Sequence, residues 1–107
     1  MNFIKKYFED RRENQARKRL ARLRNRLVRD LCFLRRETNE GLLFRRVGNM
    51  PGVNHVDMQS GGLRPTYVDV RMNDGYTISV QGKWYRDALR NAGRGIAVRL
   101  KEVHIGD

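Results

Sequence analysis

The stretch that decides the fold, residues 11–36, reads RRENQARKRLARLRNRLVRDLCFLRR. On a helix with about 100° between successive residues, its apolar side chains align along one side. These residues, which we call the leucine stripe, follow one another at spacings of 4, 3, 4, 4 and 3: Ala16, Leu20, Leu23, Leu27, Leu31 and Leu34. The pattern predicts a helix that buries this stripe.

The side of the helix opposite the leucine stripe is basic. It carries Arg11, Lys18, Arg22, Arg29 and Arg36, with Arg19 and Arg26 at its edge and the ring of Phe33 among them. We call these eight residues the basic face. Residues 11–29 hold nine basic residues and one acidic residue, a net +8 out of the chain's +11. Such a concentration of charge predicts an anionic partner.

The composition indicates one small folded domain spanning residues 1–107. The apolar fraction of 39% suffices for a single modest core, and 18 of the 23 basic residues are Arg. The planar guanidinium group of Arg matches phosphate and carboxylate groups, so the Arg bias favours contact with an anion. A solvated basic surface is the alternative interpretation.

Glycine and proline divide the chain into two parts. All ten glycines and both prolines lie at or after Gly41, which predicts one long basic helix or two helices over 1–40 and a turn-rich sheet part with one short helix over 41–107. An unbroken helix, ended by Gly41, would be about 55 Å long, so its first half should project from the domain or meet a partner.

The second part of the chain contains a predicted β-hairpin. Segments 67–72 and 76–81 alternate apolar and polar residues around Asn73-Asp74-Gly75. A three-residue loop keeps one face apolar by pairing Val70 with Ile78, with Gly75 as the left-handed residue. The other predicted elements are a strand over 42–47, a loop over 48–65 with a possible strand at 53–58, a helix over 84–92 capped by Gly93, and a last strand over 96–105.

These elements predict an α+β fold, with the long basic helix packed on a small, mostly antiparallel sheet. Pairing of the helix with a second copy as a coiled coil is disfavoured, because the positions flanking its seam are basic, namely Arg17, Arg19, Arg24 and Arg26. The stripe is therefore expected to pack on the sheet of its own chain, with an acidic partner helix as the alternative.

The leading functional hypothesis is a non-enzymatic protein that binds nucleic acid or a nucleoprotein through the basic face. Its Arg and Lys side chains would contact phosphates, and Phe33 would stack on an unpaired base or, alternatively, contact its own chain. The second hypothesis is a protein-binding modulator or inhibitor that docks this helix, or the aromatic patch at residues 3–8, on an acidic partner. Small, very basic domains of this type are common among accessory binders of phages and mobile elements.

A small metal-independent ribonuclease is the third hypothesis. His55 and His104 would form an acid–base pair, and Arg99 or Lys101 would hold the phosphate. One Cys and two distant His match no metal-ligand spacing, and no motif indicates a cofactor.

Cys32 is the only cysteine, which excludes an intramolecular disulfide and favours a reducing, cytoplasmic location. We expect its thiol to be buried and inert. No apolar run approaches the roughly 18 residues of a membrane span, so a soluble chain is expected.

Overall fold

The computed structural model of this chain describes residues 2–104, and its side chains over 4–60 and 62–103. Its elements in chain order are α1 (Asn2–Arg36), α2 (Glu40–Gly48), β1 (Val53–Gly61), β2 (Arg64–Met72), β3 (Thr77–Gly82) and α3 (Tyr85–His104). The strands form one antiparallel sheet in the order β1-β2-β3. The predicted α+β class is confirmed.

The helices lie in two layers on one face of the sheet. Helix α3 packs on β2 and β3, α2 packs on β1 and α3, and α1 packs on α3 and α2. The core between them holds these fully buried residues: Leu34, Leu43, Val47, Val68, Val70, Leu89 and Ile96. The long basic helix therefore reaches the core mainly through the other two helices, instead of packing directly on the sheet as predicted, and α3 and α2 cover the sheet.

Helix α1 is continuous over 35 residues, and only its second half is packed. Leu27 and Leu34 are 3% and 1% exposed, Leu23 and Leu31 are partly buried against the core, and every described side chain over residues 4–19 is exposed. We call residues 4–19 the arm. The molecule is 69 Å long and only 27 Å and 20 Å wide, which confirms that the first half of the helix projects.

The predicted hairpin has the register that its apolar residues indicate. Val70 pairs with Ile78 and Val68 with Val80. The Met72 N–H donates to the carbonyl of Tyr76 at 2.7 Å, and the N–H of Gly75 donates to the carbonyl of Met72 at 3.0 Å. Gly75 has φ +90°, which a three-residue loop requires at this position.

The predicted strand over 42–47 is wrong, because this segment is helix α2. The Asn39 side chain caps the helix by accepting the N–H of Leu42 at 3.0 Å, and Leu43 and Val47, one turn apart, are both fully buried. A run of six residues is too short for its period to separate helix from strand. The Asn39 cap and the burial of Leu43 and Val47 in the core together favour the helix. Helix α1 ends at Arg36, so the predicted cap Gly41 lies instead in the first turn of α2.

The predicted loop over 48–65 is only partly correct. Strand β1 fills residues 53–61, including the segment 53–58 that was predicted as a possible strand, and a short turn leads into β2 at Arg64. Since β1 pairs along β2, the sheet has a third strand.

The predicted short helix and last strand are one helix, α3, and Gly93 lies in its interior instead of capping it. A Cβ at Gly93 would overlap the side chain of Leu34, and one at Gly95 would lie 2.9 Å from Cγ2 of Ile78. Residues two apart on a helix point in nearly opposite directions. The two glycines therefore let α3 approach α1 on one side and β3 on the other.

Candidate nucleic-acid interface

Most of the basic face is available to a partner. The six basic residues of this face other than Arg26 are exposed: Arg11, Lys18, Arg19, Arg22, Arg29 and Arg36. Among the described residues, their charged groups take part in none of the side-chain hydrogen bonds or ion pairs of the chain. Three of them, Lys18, Arg19 and Arg22, line a shallow depression of ≈ 350 Å³ together with Gln15.

Arg26, at the edge of the basic face, takes part in the fold. Its Nη2 donates to the carbonyl of Asn49, the C-cap residue of α2, at 2.7 Å. A guanidinium group at this position satisfies a terminal carbonyl and complements the negative end of the helix dipole. Reversing the charge of Arg26 would break this bond, so the loss of binding in such a variant would not report on the interface alone.

Phe33 packs inside its own chain. The ring is half-buried against the core, and the guanidinium carbon of Arg46 lies 4.6 Å from its centroid. Arg46 is held there by its Nε, which donates to Oδ1 of Asp30 at 2.8 Å, and the side chain of Asp30 is 7% exposed. This geometry favours the intrachain contact over the stacking of a base on Phe33.

A second group of arginines lies between α1 and α3. Arg35, Arg90 and Arg94 line a pocket of ≈ 390 Å³ over Leu31 and Leu34, and no carboxylate is among the lining residues. Arg90 also caps α1, because its Nε donates to the carbonyl of Leu34 at 2.7 Å and its Nη2 to that of Glu37 at 3.2 Å. Arg90 and Arg94 are four residues apart, a spacing that places both on one side of a helix. This signal for the arginine group was missed because a strand was predicted after Gly93.

An exposed aromatic corner lies where the β1–β2 turn meets the start of α3. Trp84 is 60% exposed beside a pocket of ≈ 490 Å³ that Arg64, Pro65 and Lys83 also line. Tyr67, 46% exposed, lines a second pocket of ≈ 250 Å³ that shares Arg64 and Pro65 with the first. Sequence reasoning missed this corner, because its residues come from separate strands and a turn.

Of the two histidines predicted as a catalytic pair, only the side chain of His55 is among the described residues. His55 is exposed on β1, with its Nε2 3.1 Å from Oδ1 of Asp57. The side chain of His104 lies outside the described residues, so the pairing stays a prediction. Across the part of the chain that the structure describes, no group of three His, Cys, Asp or Glu side chains could hold a metal ion.

Arg99, predicted as a phosphate ligand, is bound within the chain. Its Nη2 donates to Oδ2 of Asp74 at 3.2 Å, and its guanidinium carbon lies 3.9 Å from the ring centroid of Tyr76. The backbone N–H of Tyr76, and after it Arg99, lower the pKa of Asp74. These contacts tie α3 to the hairpin loop.

The thiol of Cys32 is exposed, so the prediction of a buried thiol is wrong. Cys32 lies three residues after Arg29 and four before Arg36, which places it on the same side of α1 as the basic face. The rate at which its thiol is alkylated can therefore report whether a bound ligand covers that face.

The far end of the arm carries an apolar patch. Ile4, Tyr7 and Phe8 are 50%, 61% and 53% exposed, and the two rings meet edge to face with centroids 5.8 Å apart. No helix in the described residues is long and apolar enough to cross a membrane.

The described residues therefore present positive charge along α1 and exposed aromatic side chains at the Trp84 corner. We compared the chain with protein-family models, curated proteins and solved structures, and none of the three comparisons found a match.

Proposed function

We propose that this protein is a non-enzymatic nucleic-acid-binding protein that contacts the phosphate backbone through the basic face of α1. The observation that carries the proposal is a helix side with six exposed basic residues that have no hydrogen-bond or ion-pair partner among the described residues. A polyanion with condensed counterions rewards such a surface, since each phosphate contact releases counterions.

No acidic residue of α1 lies on the basic face. The basic residues at 11, 18, 22, 29 and 36 are separated by seven, four, seven and seven residues, which keeps them along one line of a helix. On the same wheel, Glu9 and Glu13 fall on the side of the leucine stripe, and Asp30 is buried with Arg46. The basic face is thus positive along its length, as contact with a continuous phosphate backbone requires.

The shape of α1 also suits a nucleic acid. At about 1.5 Å per residue the arm is about 24 Å long, and a helix about 10–12 Å wide fits the major groove of B-DNA, which is about 12 Å wide. Because the arm projects from the body of the molecule, α3 and the sheet do not stand between it and a duplex or a strand.

The test is a charge reversal confined to the basic face. In the variant Lys18→Glu/Arg22→Glu/Arg29→Glu, binding to labelled duplex and single-stranded oligonucleotides, measured by fluorescence anisotropy, should be lost while the far-ultraviolet circular dichroism spectrum stays unchanged. The wild-type affinity should fall roughly a thousandfold between 50 and 200 mM salt if about six phosphates are contacted.

A second triple variant provides the matched control. Arg12, Arg17 and Arg24 are also exposed on α1 but lie off the basic face, so their reversal to Glu changes the net charge by the same amount. We expect this variant to retain measurable affinity. Equal losses in the two variants would refute the assignment to one face, and a folded wild-type protein that binds neither DNA nor RNA at low salt would refute the function.

Docking on an acidic protein is the second candidate function, and the exposed patch of Ile4, Tyr7 and Phe8 favours it. Clustered exposed aromatic side chains are typical anchors in protein interfaces. This function requires a partner that co-purifies after nuclease treatment and at high salt, and that is lost in the variant Tyr7→Ser/Phe8→Ser. Co-purification that nuclease treatment abolishes would refute it.

A further inference from the structure

The single tryptophan of the chain is held in an exposed position. Trp84 is 60% exposed, although its neighbour Tyr85 packs against the core and donates its hydroxyl hydrogen to the carbonyl of Thr38 at 3.3 Å. The carbonyl of Trp84 accepts the N–H of Ala88 at 3.1 Å, in the first turn of α3. The backbone at Trp84 is therefore anchored while its indole ring faces solvent.

The turn that presents Trp84 is tightly packed. A Cβ at Gly82 would overlap the backbone of Ala88 and lie 2.8 Å from Cβ of Asp87. The close approach of β3 to the start of α3 leaves little room for the turn to rearrange. An exposed aromatic ring on a rigid support is preorganised for stacking, because little conformational entropy is lost on binding.

The two pockets at this corner each combine an aromatic side chain with a glutamine. The Trp84 pocket contains Gln81, and the Tyr67 pocket contains Gln59. Tyr67 pairs with both glutamines in the sheet, with Gln59 on β1 and Gln81 on β3. Each pocket thus has one exposed aromatic ring and one amide, which can donate to and accept from the edge of a base.

Arg64 and Pro65 line both pockets, so the two pockets adjoin each other. Lys83 adds a second cation on the Trp84 side, with its Nζ 6.0 Å from the centroid of the indole ring. No Asp or Glu lines either pocket. The surface therefore offers two exposed aromatic rings in adjoining pockets that share one cation, Arg64, which suits two stacked bases linked by a phosphate.

We propose that these two pockets bind two consecutive unpaired nucleotides of a single-stranded nucleic acid. One base stacks on Trp84 and the next on Tyr67, while the guanidinium group of Arg64 contacts the phosphate that joins them. This inference rests on the proposed function and deepens it, because α1 contacts phosphates in any form of nucleic acid, whereas the corner requires bases whose faces are not covered by a duplex.

The fluorescence of Trp84 reports on the site directly, since the chain has one tryptophan. Titration with oligo-dT and with oligo-U should quench and shift the emission of Trp84, and a blunt duplex of equal phosphate number should leave it nearly unchanged. The oligonucleotide that binds with the higher affinity in these titrations will identify DNA or RNA as the preferred source of the unpaired bases.

Variants test the two stacking positions separately. Trp84→Ala and Tyr67→Ala should each weaken the binding of single strands by about 5- to 150-fold, the range for the loss of one stacked base, and leave duplex affinity unchanged. Tyr76→Ala is the matched control, because Tyr76 is similarly exposed, 45%, at the other end of the sheet. Arg64→Gln should also weaken single-strand binding, whereas Arg71→Gln, on the same strand, should not.

The failure of this inference is distinguishable from failure of the proposed function. Single-strand binding that persists in Trp84→Ala and Tyr67→Ala, without a change in the emission of the wild-type protein, would refute the two pockets and leave the role of α1 intact. Equal losses on single strands and duplex would also refute stacking. Absence of binding to both forms in a folded wild-type protein would refute the proposed function itself.

Discussion

The packing of the leucine stripe predicts that replacing its leucines with alanine lowers the free energy of unfolding much more in the second half of α1 than at the base of the arm. Leu34 and Leu27 are 1% and 3% exposed within the core, whereas Leu20 is only partly buried and lies at the base of the arm. Leu→Ala at a fully buried site removes transfer free energy and leaves a cavity, at a cost of about 2–5 kcal/mol. We therefore expect this cost for Leu34→Ala and Leu27→Ala.

At Leu20 we expect a much smaller effect. Its side chain is not among those that pack against the core, so Leu20→Ala should cost under about 1 kcal/mol, in the range of substitutions at weakly packed positions. For a domain of this size, about 4–8 °C of melting temperature corresponds to each kcal/mol, so the two classes should be well separated in a thermal scan.

Urea unfolding checks the interpretation, because a change of midpoint at an unchanged m value reports stability alone. Costs that are equal at Leu20, Leu27 and Leu34 would refute the projecting arm. A neutral Leu27→Ala that nevertheless abolishes binding of a partner would refute the intrachain packing and make the stripe an interface.

Three further predictions concern single positions elsewhere. Gly82→Ala should destabilise the fold by about 1–3 kcal/mol, because its Cβ would meet backbone atoms at the start of α3, whereas Gly48→Ala, with nothing within 4 Å in helix α2, should be neutral or stabilising in the same urea titration. The pKa of Asp74 is lowered from its ordinary value of 3.8, so the interactions of its carboxylate stabilise the fold above that pH and are lost as the pH falls through the lower folded value. The difference in unfolding free energy between wild type and Asp74→Asn should therefore shrink in acid. A difference that does not change with pH would contradict the pairing with Arg99. Alkylation of the exposed thiol of Cys32 should slow when nucleic acid is bound, and a rate that does not change at saturating oligonucleotide would place the nucleic acid elsewhere.

Helix α1 and the hairpin were predictable because their signals are local and long. Six apolar residues at helical spacing outweigh any competing pattern over residues 16–34. In the hairpin, Gly75 and the alternating residues around it admit one register with an apolar face, and the structure has that register. The opposition of the basic face and the stripe follows from the same helical geometry.

The membership of the candidate site was only partly predictable. Exposure of Lys18, Arg22 and Arg29 follows from their side of α1. The roles of Arg26 and Phe33 depend instead on α2, because its C-cap residue Asn49 supplies a carbonyl to Arg26 and its last turn supplies the guanidinium group of Arg46 to Phe33. An edge residue of a helix faces solvent or a neighbour according to where the neighbouring element packs.

Sequence by itself thus determined the two elements whose period repeats often enough to exclude alternatives, together with the charge carried by one side of α1. Tertiary structure decided the rest. Residues 40–48 and 85–104 are helical because Leu43 and Val47 fill the core and because Gly93 and Gly95, each costing about 1 kcal/mol of helix propensity relative to Ala, permit close packing on both sides of α3. The corner at Trp84 likewise exists only in the folded chain, since strand pairing and the packing of α3 bring together residues that local periodicity leaves apart.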